Sequence, residues 1–350
     1  MNERIKTIVS KLCDNHSLSL EEYAELIDNR CPEVIDILTR EAVRLRKEFY
    51  GNKVFIRGLI EISNICKNDC YYCGIRKSNA HCSRYRLTKE DILSSCDNGY
   101  RLGFRTFVLQ GGEDGFFTDD VLCDIVSSIK KKYSDCAITL SAGERSCDSY
   151  LKLFRAGADR YLLRHETADE EHYRKLHPDN LTLNNRLECL DNLKEIGFQV
   201  GCGFMVGSPF QTSMTIAKDL KFIETFKPDM CGIGPFIPHK DTPFKEYKPG
   251  TVELTCFLLS VIRIIHPNIL LPSTTALGTI EDGGREKGVL SSANVVMPNL
   301  SPTNVRNKYE LYNNKLNTGA ESAEKLDKLK KLIADIGYEI VCDRGDVIKN

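Results

Sequence analysis

From residue 53 onward, short runs rich in β-branched residues alternate with longer amphipathic helical stretches. Such alternation predicts a parallel sheet, because a parallel strand is reached only through a crossover, usually a helix. Eight repeats over roughly 250 residues, with no glycine fingerprint of a dinucleotide site, favour the closed α/β (β/α)8 TIM-type barrel over an open doubly wound sheet. The predicted strands are 54–62, 105–111, 136–143, 159–165, 198–207, 230–236, 268–275 and 293–299.

Helical patterns lie on both sides of this alternating region. Residues 1–50 are predicted to form an N-terminal helical extension, in which Pro32 occupies a favoured first-turn position of the third helix. Residues 51–300 are predicted to form the barrel. Residues 301–350 are predicted to form a C-terminal helical tail packed on it.

The composition is that of an ordinary soluble globular protein. Apolar residues make up 41% of the chain, charged residues 28%, and the formal net charge is -1, which gives no global electrostatic reason to expect a nucleic-acid or membrane partner. No segment approaches the ~18 uninterrupted apolar residues of a membrane-spanning helix. The N-terminal segment carries charges within its apolar pattern, unlike a signal peptide. We therefore expect a cytoplasmic protein that binds neither nucleic acid nor membrane.

The chain contains fifteen cysteines, an odd number in a long sequence without a signal peptide, so most are expected to be buried thiols. Cys66, Cys70 and Cys73 differ, because they follow the first predicted strand directly, where barrels place their active sites. Three thiolates can bind three irons of a 4Fe-4S cluster and leave the fourth open for catalysis. A zinc site that also uses His81 or Cys82, and with it a non-catalytic scaffold, is the alternative.

Further polar residues stand at the ends of later strands. The second strand ends in Gln110-Gly111-Gly112-Glu113, where glycines let the backbone approach a ligand, although a plain turn has the same pattern. The third ends in Ser141. Arg164 and Glu166 close the fourth and suit a ligand with a carboxylate and an ammonium group, or else form a salt-bridged rim.

The C-x3-C-x2-C spacing with Tyr72 before the third cysteine resembles the signature of the radical S-adenosylmethionine (SAM) superfamily. The resemblance implies that the open iron is chelated by SAM, which is cleaved by one electron to give a 5′-deoxyadenosyl radical. It also implies a set of SAM-binding residues. These are Tyr72, Gly111, Gly112, Glu113, Ser141, Glu166 and Arg186.

Longer strings narrow the resemblance: FIRGLIEISNIC, LQGGED, GADRYLLRHETAD, GIGPFIPHKDTP, TTALGT and ANVVMPNLSP. Together they resemble HydE, the radical SAM maturase family of FeFe-hydrogenase, over about residues 50 to 345. The resemblance implies a cysteine-bound Fe(CO)2CN substrate delivered by a partner maturase, and a reduced donor such as ferredoxin or flavodoxin. It implies a substrate cavity inside the barrel lined by Arg57, Gln110, Arg164, Thr274, Thr275, Met297 and Tyr309.

A related enzyme with the same general architecture is the alternative, a biotin-synthase-like or methylornithine-synthase-like protein acting on a small thiol or amino acid. One departure from the HydE pattern bears on this choice. Many members carry three cysteines in the tail for a second cluster, but this chain has Asn317, Lys325 and Lys328 at the positions we align with them. Neither side chain is a plausible cluster ligand, so we predict a single 4Fe-4S cluster.

Overall fold

The computed structural model of the chain describes residues 1–317 and 319–349. Its main sheet has six parallel strands in the order β2-β3-β4-β5-β6-β8. The strands are β1 Lys53–Ile56, β2 Gly58–Ser63, β3 Thr106–Gly111, β4 Ala137–Ser141, β5 Arg160–Leu162, β6 Gln199–Cys202, β7 Met205–Val206, β8 Met230–Cys231, β9 Gly234–Pro235, β10 Val295–Val296 and β11 Glu339–Val341.

Helices separate the strands along the chain, as the βα alternation requires. They are α1 Glu3–Asn15, α2 Leu20–Asp28, α3 Pro32–Tyr50, α4 Lys89–Arg101, α5 Asp119–Lys132, α6 Cys147–Arg155, α7 Glu170–Leu176, α8 Leu183–Ile196, α9 Ser213–Phe226, α10 Val252–Ile265, α11 Thr275–Ile280, α12 Gly284–Leu290, α13 Thr303–Arg306 and α14 Leu326–Asp335. Among the described residues, no helix is both long and apolar enough to cross a membrane.

Parallel bridges close the sheet into a ring. Leu270 pairs with Met230 of β8, and Pro272 pairs with Val295 of β10. β10 lies parallel to β1, and a further parallel bridge joins Asn299 to Leu59 of β2. Eight chain segments therefore follow one another around a closed barrel, which confirms the predicted (β/α)8 fold.

The seventh predicted strand, 268–275, is wrong in part. This segment makes only the isolated bridges at Leu270 and Pro272, because a proline has no N–H for a continuous ladder. The sequence predicted that Thr274 and Thr275 end this strand, but they belong to a helix. Thr274 is the N-cap of α11 and Thr275 is its first residue.

The N-terminal helices begin at well-defined caps. Ser19 and Glu22 form a capping box at the start of α2, and Pro32 is the first residue of α3, as the sequence predicts. α3 packs against α10, and α2 packs against α9. One continuous apolar core includes Ile8 of the extension and Ile60 of the barrel.

The tail contains α13, two 3-10 turns and α14, and it also contributes a strand. β11 lies parallel to β1, so the prediction of a purely helical tail is incomplete. Beyond β11 the chain runs below the amino-terminal end of the barrel. There the buried Arg160 of β5 donates to Asp346 Oδ1 over 2.5 Å and to the Arg344 carbonyl over 2.8 Å. The tail thus closes the bottom of the barrel.

Candidate active site

A cavity of about 370 Å3 opens at the carboxyl-terminal end of the strands and extends into the barrel. Active sites of this fold usually lie at the same end of the barrel. All seventeen residues singled out from the sequence border it. They are Arg57, Cys66, Cys70, Tyr72, Cys73, Gln110, Gly111, Gly112, Glu113, Ser141, Arg164, Glu166, Arg186, Thr274, Thr275, Met297 and Tyr309.

The three-cysteine loop forms one side of the cavity mouth, directly after β2. Cys66 Sγ accepts hydrogen bonds of 3.4 Å from the backbone N–H groups of Asn68 and Glu113. Burial raises the pKa of the Cys73 thiol to about 12, and burial together with the other two cysteines raises the pKa of Cys70. Burial and mutual repulsion thus disfavour the thiolate forms of these cysteines. A cationic centre bound between them would stabilise the thiolates.

Gly112 fits this loop because it has no side chain. A Cβ at this position would lie 2.3 Å from the Ile65 carbonyl oxygen and 2.8 Å from the Cβ of Cys66. The end of β3 therefore packs directly against the cysteine loop and leaves no room for a side chain at Gly112. This close approach is the physical requirement behind the two glycines that the sequence places here.

The zinc alternative needs three or more ligands around one point. In the part of the chain that the structure describes, no three His, Cys, Asp or Glu side chains are grouped closely enough to hold one metal ion. Cys82, which the sequence left open as a ligand, instead accepts a 3.5 Å hydrogen bond from Asn64. As they stand, the three cysteines do not form a mononuclear site.

Charged side chains form another part of the cavity wall. Arg186 of α8 donates to Glu144 Oε1 over 2.5 Å and to the Arg164 carbonyl over 2.6 Å. Arg164 Nη2 lies 3.2 Å from Glu166 Oε2. Glu166 has a φ of 65°, unusual for a residue with a side chain, and its N–H donates to the Gly203 carbonyl over 3.0 Å. The backbone is thus strained where it directs this carboxylate into the cavity.

Tyr72 and Glu113 are both fixed by hydrogen bonds. His177 Nδ1 lies 2.9 Å from the Tyr173 carbonyl, which can only accept, so Nε2 carries no proton and accepts from the Tyr72 hydroxyl over 3.1 Å. Glu113 Oε1 accepts from the Glu144 N–H over 3.2 Å. Ser141 borders the same wall at the end of β4.

Arg57 lies deep in the barrel, between β1 and β2, with its guanidinium inside. Nη1 is 2.7 Å from Met230 Sδ, and Nη2 donates to the Gly345 carbonyl over 3.4 Å. Both partners are neutral. Burial, and then the nearby Arg160, lower the pKa of Arg57. The Arg57 side chain therefore faces the barrel interior.

The remaining predicted substrate residues complete the inner wall. Gln110 Nε2 donates to the Tyr309 hydroxyl over 3.4 Å. The Thr275 hydroxyl is already used, because it donates to Glu321 Oε2 over 2.7 Å. Met297 borders the cavity just beyond β10.

Several buried polar atoms of the cavity wall have no hydrogen-bond partner. A buried polar atom without a partner costs free energy, so a cluster of them facing one cavity indicates a polar ligand. They are Arg57 Nε, Arg164 Nε, Thr139 Oγ1 and Thr274 Oγ1, which are all donors, and the two nitrogens belong to positively charged guanidinium groups. Arg164 Nη2 and Glu166 Oε2 make no hydrogen bond either, but they lie 3.2 Å apart as an ion pair.

The same wall contains a buried ion pair that was not predicted from the sequence. Lys315 Nζ contacts Glu61 Oε1, and Asn299 donates to the other oxygen of Glu61 over 2.9 Å. Glu61 is completely buried in β2. The glutamate inside the apolar string GLIEIS could have predicted a buried carboxylate. No feature of the neighbouring sequence, however, indicated that its partner lies 254 residues away.

Comparisons with known proteins agree with this geometry. The model of the radical SAM superfamily matches residues 60–223. The [FeFe] hydrogenase maturase subunit HydE of Thermotoga maritima is 44% identical over 310 residues, which are 89% of this chain and 88% of that protein. A 3-methylornithine synthase of Methanosarcina acetivorans is 28% identical over 82% of this chain and 81% of its own length.

Two solved structures share the fold. Methylornithine synthase (PylB) superposes with a TM-score of 0.82 at 24% identity, covering 95% of this chain and 97% of that one. The FeFe-hydrogenase maturase HydG from Carboxydothermus hydrogenoformans superposes with a TM-score of 0.78 at 20% identity, covering 96% and 79%.

A closed barrel with a three-cysteine loop at its mouth and a match to this superfamily defines a radical SAM enzyme, whose cofactors are a 4Fe-4S cluster and SAM. The extent and identity of the match to the Thermotoga protein go further. The chain belongs to the HydE family of FeFe-hydrogenase maturases.

Proposed function

We propose that this chain cleaves SAM reductively and uses the resulting radical to build the diiron subcluster of the FeFe-hydrogenase H-cluster, acting on a cysteine-bound Fe(CO)2CN precursor. One observation is the main support for an anionic organometallic substrate. The Arg57 guanidinium is buried in the cavity with only a thioether and a carbonyl as partners. A buried cation without a counterion is costly, and an anionic ligand removes that cost.

Cys66, Cys70 and Cys73 would hold the 4Fe-4S cluster. When bound, the cluster supplies one electron to SAM, whose cleavage yields methionine and the 5′-deoxyadenosyl radical that acts on the substrate. The position of all three thiols on the wall of one cavity supports this assignment, as does the close contact of Gly112 with their loop.

The part of the cavity next to the cysteine loop would bind SAM. Glu166 and Arg164 form an ion pair of 3.2 Å there, and a carboxylate beside a guanidinium suits a zwitterionic amino-acid group and ribose hydroxyls. The Arg186–Glu144 pair holds the Arg164 backbone in place. The full proposed set is Tyr72, Gly111, Gly112, Glu113, Ser141, Glu166 and Arg186.

The deeper part of the cavity would bind the precursor. Arg57, Arg164 and Thr274 have unpartnered N–H or O–H groups there, and such donors suit cyanide nitrogen and carboxylate oxygen. Gln110, Thr275, Met297 and Tyr309 would complete the wall. Membership of the HydE family supports delivery of the precursor by another maturase, and we propose ferredoxin or flavodoxin as the reductant.

We also propose that the chain carries no second cluster. Asn317, Lys325 and Lys328 stand at the positions aligned with the tail cysteines of many relatives, and the only cysteine after residue 300 is Cys342. The Cys342 thiol donates to the Gly103 carbonyl over 2.8 Å. One cubane corresponds to about 4 iron atoms per chain.

The test combines the reconstituted enzyme with partner maturases, precursor, SAM and reductant, and compares wild type with Arg57→Met. The variant is expected to keep dithionite-driven cleavage of SAM but to activate hydrogenase at least about tenfold less, the cost of one lost charged contact. Arg46→Met is the matched control, because Arg46 is equally buried but donates to Val289 and Lys53 carbonyls outside the cavity.

Two outcomes contradict the proposal. One is full activation of hydrogenase by Arg57→Met. The other is turnover of a small thiol or amino acid by the wild-type enzyme with no contribution to hydrogenase activation, which favours a biotin-synthase-like or methylornithine-synthase-like activity.

A further inference from the structure

An exposed aromatic and basic surface lies beside the cysteine loop. It consists of Phe210 and Tyr247, exposed by 45% and 40%, together with Lys175, Lys245 and Lys248. We call it the aromatic–lysine patch. Its residues come from the end of α7 and from the loops after β7 and β9, at the carboxyl-terminal end of the barrel, where the cysteines also lie.

Aromatic rings connect this patch to the cysteine loop. The Phe210 and Tyr247 rings lie 6.0 Å and 5.3 Å from the ring of Phe244, which is buried. The Phe244 ring lies 6.1 Å from that of Tyr71, edge to face. Tyr71 is covalently next to Cys70. An unbroken series of contacts therefore joins the surface to a residue adjacent to a proposed cluster ligand.

Phe210 occupies a backbone position that does not favour it. The Gln211 N–H donates to the Ser208 carbonyl over 3.1 Å, and Pro209 and Phe210 are the central residues of this turn. Phe210 has a φ of 66°, as the third residue of a type II turn requires. Glycine is the usual residue there, because a side chain is strained at positive φ. Strain retained to present an exposed ring indicates a function for that ring.

The charge of the patch is positive although the whole chain has a formal net charge of -1. Lys175, Lys245 and Lys248 are all exposed, and the Lys175 ammonium lies 5.6 Å from the centre of the Phe210 ring. Glu246 is the one carboxylate between Phe244 and Lys248. Nearby Arg174 is paired with Glu170, and Lys218 with Asp169. A local excess of cations around an apolar centre favours a partner with an acidic surface.

We propose that the aromatic–lysine patch is the docking surface of an acidic one-electron carrier protein that reduces the cluster. This inference rests on the proposed function, which requires one electron per SAM cleaved. In the docked complex the carrier is oxidised by one electron and the cluster is reduced by one electron. Small, transient and salt-sensitive interfaces are typical of electron-transfer partners.

The test measures 5′-deoxyadenosine formation by the full-length reconstituted enzyme with two reductants, dithionite and a reduced acidic ferredoxin. Lys245→Glu/Lys248→Glu is expected to raise the ferredoxin concentration for half-maximal rate by roughly tenfold at low salt. Added salt is expected to slow the wild-type reaction with ferredoxin and to have little effect on the variant. The dithionite-driven rate is expected to be unchanged.

Phe210→Gly separates a role in docking from a role in folding. Glycine suits the turn better than phenylalanine, so the variant is expected to fold at least as stably as wild type. Loss of the ring is nevertheless expected to lower the ferredoxin-supported rate severalfold at unchanged dithionite-supported rate. The matched control for the lysines is Lys47→Glu/Lys131→Glu, because these exposed residues end α3 and α5 at the opposite end of the barrel.

Equal ferredoxin-supported rates in wild type and both patch variants would overturn the inference. So would an equal loss with both reductants, which indicates a disturbed active site, or a loss of self-association without a change in rate, which indicates an interface between two copies. If wild type releases no 5′-deoxyadenosine even with dithionite, the proposed function itself fails.

Discussion

Gly112 and Ile65 are in backbone contact: a Cβ on Gly112 would lie 2.3 Å from the Ile65 carbonyl oxygen. The contact joins the end of β3 to the residue before the first cysteine. Because a carbonyl oxygen is part of the backbone, it cannot move aside as a flexible side chain does. The shape of the cysteine loop therefore depends on the absence of a side chain at this position.

We expect Gly112→Ala to displace the cysteine loop and to lower the iron content after anaerobic reconstitution well below the about 4 atoms per chain of one cubane. Gly115→Ala is the control, since a Cβ there meets nothing within 4 Å and should leave the iron content unchanged. Iron and sulfide analysis makes the comparison. Equal iron in both variants contradicts this role of Gly112.

Arg57 is expected to reduce the stability of the ligand-free chain. Replacing a buried charge that has no counterion by an apolar residue of similar length is neutral or stabilising, so Arg57→Met should leave the free energy of unfolding unchanged or raise it by about 1 kcal/mol. Arg160→Met removes one of the partners of Asp346, which keeps its pair with Arg344, and should lower it by about 1.5 kcal/mol, the value of a hydrogen bond to a charged group. Urea unfolding measures both. A large loss of stability in Arg57→Met would indicate a structural role for this residue.

Breaking the buried pair of Lys315 and Glu61 should be costly. Lys315→Met leaves the Glu61 carboxylate unpaired in the cavity wall and is expected to lower the free energy of unfolding by about 3 kcal/mol. Glu61→Gln in the same chain removes the uncompensated charge and should restore most of that loss. A double-mutant cycle by urea unfolding gives the coupling. Additive effects of the two replacements would show that the pair is not coupled.

His177 should make stability depend on pH. Burial lowers its pKa to about 3, whereas a histidine in the unfolded chain titrates near about 6.5. Between these values the unfolded chain binds a proton that the folded chain does not. The free energy of unfolding therefore falls as the pH decreases below about 6.5, by up to about 1.4 kcal/mol per pH unit.

Urea unfolding of the cluster-free chain between about pH 6.5 and pH 4.5 checks this expectation. His177→Asn should reduce the slope of stability against pH, while His81→Asn, at an exposed position, should leave it as in wild type. Identical slopes in wild type and His177→Asn would show that His177 does not cause the dependence.

The fold was predictable where the apolar residues of the sequence recur with a clear strand or helix period. The prediction was wrong where a proline or a helix cap interrupts that period. Strands such as β3 and β4 contain short apolar runs and were placed within one or two residues. The segment 268–275 also contains an apolar run, but Pro272 interrupts the ladder and Thr274 caps a helix. The strand β11 is only three residues long and depends on pairing with β1, far away in the chain.

The site was predictable because its residues follow strand ends, which a parallel barrel gathers at one mouth. This is why Cys66, Gln110 and Arg164 border one cavity although they belong to different repeats. The contacts that residues of the tail make with the cavity wall were not predictable. Lys315 reaches Glu61, and Gly345 reaches Arg57, across more than 250 positions of the sequence.

The most direct test of the central claim is the 5′-deoxyadenosine released per chain after anaerobic reconstitution, reduction with dithionite and addition of SAM. Wild type and Cys82→Ser, a half-buried cysteine of the same loop region outside the cavity, are expected to release it with about 4 iron atoms bound. Cys70→Ser is expected to release none. Product from Cys70→Ser at the wild-type level, or none from a wild-type chain that holds its iron, would contradict the claim that Cys66, Cys70 and Cys73 hold a SAM-cleaving cluster.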